Sequence, residues 1–347
     1  MKKWLTFGLG AVVSVGIFVA LVGSELDAVK DELARAHYVY LLPCALLLFG
    51  GLLTRAVRWH ILLDKRVSVW HSFHIMNVGY FVSSILPFRI GDFARAWLTS
   101  RLKPPVSGFT SLSTIVVERL VDLLFVVLVL GVCLAVLDVP SEVTSVGVLM
   151  GTAALIALIT LSIFAARPAW AKAMLKWMEG WLPILRRLKL DERLDHILKG
   201  FAPIGRPKTA LAVFFWTGFS WFFSILAGYA LLFMLFDKPT IQAAALFVVL
   251  GSFSVALPAV PGNLGPFEGA VVGGLWIAGL IDKATAPENA PAIAFAAILH
   301  ALLIGLYIIF GLIGLYVEHT SVRQVRRGAS TLTEHDTAVK ILAEGVS

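Results

Sequence analysis

The chain has 347 residues, of which 59% are hydrophobic and 15% charged, with a formal net charge of +7 and a mean hydropathy of +0.86. A soluble domain of this length exposes far more charge, so the composition excludes that class and points to a polytopic membrane protein. The basic balance fits cytoplasmic loops beside anionic lipid rather than nucleic acid, and the two cysteines, Cys44 and Cys133, sit in apolar runs without disulfide or metal spacing.

Apolar runs of roughly 18 to 25 residues recur, the length that crosses about 30 Å of hydrocarbon. Lys2 and Lys3 precede the first, Trp4 to Val22, which reads as a transmembrane helix rather than a cleaved signal peptide. Glu25 to His37 is acidic and suits the outer side. Val39 to Val57 returns inward and is followed by Arg58, His60, Lys65 and Arg66. Trp70 to Leu86 is apolar but interrupted by polar residues, and it stops at Pro87. A full crossing would place the basic stretch from Arg89 to Lys103 outside, against the positive-inside tendency. A re-entrant hairpin avoids that conflict, because irregular backbone is tolerated where protein or a water-filled cavity covers it. Ser107 to Leu137 reads as a long helix with Glu118, Arg119 and Asp122 in its first half. Thr144 to Ala166 returns.

Arg167 to Lys208 is the longest polar segment. Its Trp170, Met174, Trp177 and Trp181 fall at helical spacing, which predicts a helix lying in the headgroup plane. Thr209 to Phe236 reads as an outward span. Ile241 to Leu257 and Gly262 to Leu280 read as a second broken hairpin, from the outside, although two ordinary crossings fit as well. Pro291 to Val317 is the last span, and 321–347 a cytoplasmic tail. This topology puts 24 of the 29 Lys and Arg on the cytoplasmic side, with both termini there, in a cell membrane.

The two hairpins resemble each other. Pro87 to Ala96 and Pro261 to Ala270, 174 residues apart, both read Pro-x-x-[Ile/Leu]-Gly-x-Phe-x-x-Ala. The helix before the first runs inward and the helix before the second runs outward, so the copies are related by inversion. Inverted repeats with broken helices meeting near the midplane are a transporter pattern. The expected fold is therefore an all-α polytopic bundle of about six to eight transmembrane helices. Residues 39–166 and 208–317 form its repeats, and 167–207 a cytoplasmic linker. Pro87, Gly91, Pro258, Pro261, Gly262 and Gly265 are read as backbone permits for the hairpin turns.

Charges inside apolar runs carry the functional reading, because each costs roughly 2.5–3.5 kcal/mol at the bilayer centre. Arg89, Asp92 and Arg95 are spaced i, i+3, i+6, so Asp92 can pair with either arginine; the other is left for a lipid phosphate, or the three form a self-neutralising structural ladder at the cytoplasmic surface. Glu118 and Asp122, i and i+4, need a cation between them, for which Arg89 and Arg95 are candidates, or a proton; the alternative is a salt bridge that locks the hairpin to the helix. Arg119 lies beside them. Glu268, alone just past the second tip, is the candidate proton-carrying or headgroup-binding acid. The alternative is a carboxylate bonded by the hairpin's own amides. Arg55 and Arg58 read as topology anchors within reach of a headgroup, and His300 as a hydrogen-bonded packing histidine, with a proton relay as the alternative.

The ordered set Arg55-x-x-Arg58-Trp59, Leu86-Pro87-x-Arg89-x-Gly91-Asp92-x-x-Arg95, Glu118-Arg119-x-x-Asp122 and Pro258-x-x-Pro261-Gly262-x-Leu264-Gly265-x-Phe267-Glu268 resembles the lysylphosphatidylglycerol synthase transmembrane, or flippase-like, family. The resemblance covers about residues 5 to 320. It implies the lipid-translocating membrane region without the soluble aminoacyl-transferase domain of the bifunctional enzymes. It also implies roles for Arg89, Asp92, Arg95, Glu118, Arg119, Asp122 and Glu268.

The leading expectation is a flippase for an anionic or modified phospholipid or a polyprenyl-linked lipid, with no enzyme activity and no metal or other cofactor. A non-transporting accessory subunit of a lipid or glycan synthesis enzyme and a membrane-embedded lipid-modifying enzyme stay open as alternatives. The expected partner is membrane lipid, not nucleic acid. A synthesis enzyme and a further copy of the chain remain open as partners.

Overall fold

The computed structural model describes residues 26–85, 90–137, 139–181, 190–254, 261–282 and 289–330. The predicted first span, the first hairpin turn with Pro87 and Arg89, Pro258 and the tail beyond 330 lie outside these residues. Regular structure among the described residues is helical throughout.

A short helix, α1 (Leu26–Arg35), leads through a 3-10 turn into α2 (Leu41–Leu62). The first hairpin is α3 (Val69–Ile85) and α4 (Ile90–Ser100). Then come α5 (Gly108–Leu134), α6 (Ser141–Ala166), α7 (Pro168–Trp181) and α8 (Leu190–Phe201). The second half has α9 (Pro207–Leu232), the hairpin α10 (Ile241–Ser254) and α11 (Pro266–Ile277), then α12 (Ala290–Val317) and α13 (Val322–Ser330). Proline opens α9 and α11 and sits in the first turn of α12, where its missing N–H costs nothing. Four helices, α2 with its leading turn, α6, α9 and α12, are long and apolar enough to cross a membrane. The 27-residue α5 matches them in length and carries Glu118, Arg119 and Asp122.

Both hairpins return to the end of the bundle they left. At one end Arg206 donates to Asp64 at 2.8 Å, His71 meets Glu318 at 2.8 Å and Arg101 donates to Thr320 at 3.4 Å. The start of α3 and the end of α4 therefore lie together beside the end of α12. At the other end the His37 N–H donates to the Met234 carbonyl at 3.0 Å. There Val29, Ala243, Leu275 and Ala290 join one apolar cluster, which holds the start of α10 and the end of α11. The lengths agree with this. The hairpin helices of 17, 11, 14 and 12 residues are only about 17–26 Å long at 1.5 Å per residue, short of a 30 Å core.

The hairpins meet inside the bundle. The turn Pro261–Asn263 packs on α3, and a Cβ on Gly262 would stand 3.6 Å from the Ser84 carbonyl oxygen. Gly262 has φ +74 and Gly265 φ +89, left-handed values that glycine adopts without a Cβ penalty, so both serve the predicted turn. The packing obeys an inverted pseudo-two-fold. The α2–α3, α3–α4 and α4–α5 contacts recur as α9–α10, α10–α11 and α11–α12, and α3 on α12 is matched by α10 on α5. Along the centre α2 packs against α9, which runs the opposite way.

Gly91 corrects its expected role. It lies inside α4 and is buried, and a Cβ there would collide with the Gly79 carbonyl oxygen of α3. It permits two backbones to touch rather than a turn to form. Among the described residues the polar linker holds two α-helices. Trp170, Met174, Trp177 and Trp181 of α7 form the predicted exposed apolar row. Helix α8, in contrast, is docked on α5, with Leu198 and Phe201 buried.

Gly91→Val is expected to cost at least about 1–3 kcal/mol through overpacking, seen as a lower Tm in detergent. Gly305→Ala, whose added Cβ meets nothing within 4 Å, should leave Tm unchanged or slightly raised.

Candidate functional site

Four helices place polar residues on one shared seam. Helix α2 offers Arg55, Arg58 and Trp59, α4 offers Asp92 and Arg95, and α5 offers Glu118, Arg119 and Asp122. Helix α9 contributes Thr217, Ser220, Trp221 and Ser224, spaced i, i+3, i+4, i+7, which keeps them on one helix face.

These side chains form an alternating ladder. Arg119 donates to Asp92 at 3.1 Å, and Asp92 stands 4.0 Å from Arg95. Arg95 grips Glu118 with both terminal nitrogens, at 2.8 and 3.3 Å. Glu118 also meets Arg58 at 3.3 Å. Arg58 then holds Asp122 through both terminal nitrogens, the second at 3.1 Å, and donates to Thr217 at 3.1 Å. The Trp221 indole N–H donates to Asp122 at 3.3 Å. Trp59 lies under the Arg95 guanidinium, 4.1 Å away, and is itself held by Thr114 at 3.1 Å. Glu118, Arg58 and Arg95 are almost wholly buried, whereas the Arg119 side chain is 39% exposed. The ladder is closed in the middle and open at its ends.

Arg55 stands apart. It donates to Ser220 at 2.8 Å and to Ser224 at 3.4 Å, and no carboxylate lies within ion-pair distance of it among the described residues. Tyr80, Tyr307 and Asp122 lie within its electrostatic reach, as does the like charge of Arg58. The two tyrosines come from α3 and α12, one from each half, with ring centroids 5.1 Å apart. Among the described residues four arginines thus face three carboxylates, and the surplus cation is the one whose close partners are neutral.

The second hairpin is built differently. The Gly265 N–H donates to Glu268 Oε2 at 2.7 Å, and His300 Nδ1 lies 2.6 Å from Oε1. The Phe267 ring packs on His300, and Asn263 donates to Ser254 at 3.0 Å across the turn. Glu268 therefore takes the alternative predicted for it, a carboxylate bonded by the hairpin's backbone, with His300 added.

The structure brings Arg58, Asp92, Arg95, Glu118, Arg119 and Asp122 into one network. It sets Arg55 at its edge and Glu268 in a separate pair. The cation between Glu118 and Asp122 is Arg58, from the preceding span, while Arg95 reaches only Glu118 of the two and Arg89 lies outside the described residues. Asp92 turns to Arg119 first. His300 is the hydrogen-bonded histidine expected, with Glu268 as its partner. The α9 face escaped the sequence reading, although four polar residues at helical spacing in an apolar span were a usable signal. Tyr80 and Tyr307 carried none.

The chain matches the family described as Lysylphosphatidylglycerol synthase TM region over residues 7–311, and it belongs to that family. A comparison with curated proteins finds no match.

Glu118→Leu, which leaves Arg58 and Arg95 buried without their shared anion, should cost about 3–5 kcal/mol. Arg119→Gln at the open end should cost less than about 1 kcal/mol. Denaturation of the purified variants in detergent measures both.

Proposed function

We propose, proceeding from that membership, that the chain moves a lipid with an anionic or modified phosphate-bearing headgroup between the leaflets of a cell membrane, without making or breaking bonds. The observation that carries this reading is Arg55. A cation in the membrane that has only hydroxyl partners among its close contacts calls for an anion, and a headgroup phosphate supplies one with the geometry a guanidinium fork accepts. Ser220, Ser224, Tyr80 and Tyr307 add hydroxyls around the same point.

The rest of the site supports the reading through its form. The arginine–carboxylate ladder holds α2, α4, α5 and α9 together without a compensating ion from solvent. The hairpins enter from opposite ends and the Pro261–Asn263 turn packs on α3 near Ser84, an arrangement suited to alternating access around a central site. Glu268 acts here by holding the second tip through Gly265, and His300 keeps its carboxylate in place. Both termini are placed on the cytoplasmic side, as the distribution of Lys and Arg favours.

The test is a leaflet assay in proteoliposomes with fluorescent phosphatidylglycerol, a zwitterionic phospholipid and a polyprenyl phosphate. Movement selective for one headgroup class, slowed at least about tenfold by Arg55→Gln, is expected, since one lost charge-assisted contact is worth about 1.4 kcal/mol or more. Arg55→Gln should keep the wild-type Tm. Equal silence of folded wild type and variant toward all three lipids would overturn the transport reading in favour of an accessory subunit.

A further inference from the structure

A second cationic site lies outside the ladder, on the opposite face of α4. Helix α13 follows α12 after a short turn and packs on α4, with Val325 fully buried. Its seat is specific. Gly328 lies so close to the Trp97 indole that any Cβ there would collide with it. Ile90, Phe93 and Trp97, at i, i+3, i+7, form the α4 face toward α13, whereas Asp92 and Arg95 face α5. Between α4 and α13 runs a cleft of about 490 Å³, lined by Ile90, Phe93, Arg326, Arg327 and Ala329. Phe93 is 45% exposed in it. Arg101 adds a third cation nearby, stacked 4.7 Å from the Trp97 ring.

We propose that this cleft holds an anionic phospholipid of the surrounding membrane, with its phosphate on Arg326 and Arg327 and an acyl chain along Ile90 and Phe93. The walls match the two chemistries of one lipid molecule. Guanidinium groups at a membrane boundary bind phosphate, and each contributes about tenfold or less in affinity for an anionic leaflet. The apolar wall belongs to a hairpin helix set in the membrane, so it meets acyl chains. A soluble anion or an acidic peptide would leave Phe93 and Ile90 uncovered. The site does not depend on transport, because a chain that moved no lipid would still hold one here.

The full chain in phosphatidylcholine nanodiscs containing a minor fraction of phosphatidylglycerol tests this, with lipid retained after extraction read by native mass spectrometry. Wild type should retain phosphatidylglycerol in preference to phosphatidylcholine. Arg326→Gln/Arg327→Gln should lower that retention about tenfold or more. Gly328→Val should lower it as well, by lifting α13 off Trp97 with both arginines intact. If Gly328→Val does not fold, the double variant decides alone. These losses are read in an Arg55→Gln background, where phosphate binding at the transport site is removed, which separates this cleft from that site. In that background, equal retention with and without the Arg326→Gln/Arg327→Gln pair, retention of phosphatidylcholine as strong as phosphatidylglycerol, or displacement by inorganic phosphate would each overturn the proposal.

Discussion

Everything in this bundle is arranged around one buried carboxylate. Glu118 lies between Arg58 and Arg95, and those contacts tie a spanning helix, a hairpin helix and a second long helix at one point. A lone ion there would be prohibitive in a low dielectric, and the two arginines are balanced only in this geometry, where Asp122 and Asp92 add their charges to that of Glu118. The consequence is positional. The hairpin helix α4 is too short to be anchored by both membrane faces, so its depth is set by Arg95 on Glu118 and by the contact of Gly91 with Gly79. Asp122 and Trp221 then bring α9 to the same seam.

The two halves share a backbone plan but not a chemistry. Where the first hairpin is held by ion pairs, the second is held by glycines in left-handed conformations, a Glu268 carboxylate on its own amide and a histidine. The asymmetry has a physical use. A charged ladder is rigid and specific, because each member has its partners only in one arrangement. The described bonds of the second tip are Asn263 to Ser254, Gly265 to Glu268 and Glu268 to His300. Arg55 and the Tyr80–Tyr307 pair lie where side chains of both halves converge.

Much of this was legible in the chain. Charges inside apolar runs stand out, so Asp92, Arg95, Glu118, Arg119 and Asp122 were marked, and helical spacing placed them on common faces. The hairpins were marked by proline and glycine in the repeated pattern and by the sign of the flanking loops. What could not be read was pairing across helices. Which cation reaches Glu118 depends on how α2 packs, and nothing local distinguishes Arg58 from a boundary arginine. Gly91 was misread for the same reason, since a glycine at a turn and a glycine at a close contact look alike until the partner helix is in place. Thr217, Ser220, Trp221 and Ser224 mark one face of an apolar span by their spacing, but which cation they serve is set only when Arg55 packs beside them.

The central claim is that Arg55 is the cation left for a lipid phosphate. A cryo-electron microscopy structure of the full chain in nanodiscs rich in phosphatidylglycerol tests it directly. The account predicts phosphate density in hydrogen-bond contact with the Arg55 guanidinium, bordered by Ser220, Tyr80 and Tyr307. A well-resolved Arg55 paired with a protein carboxylate, with no headgroup in contact, would contradict it.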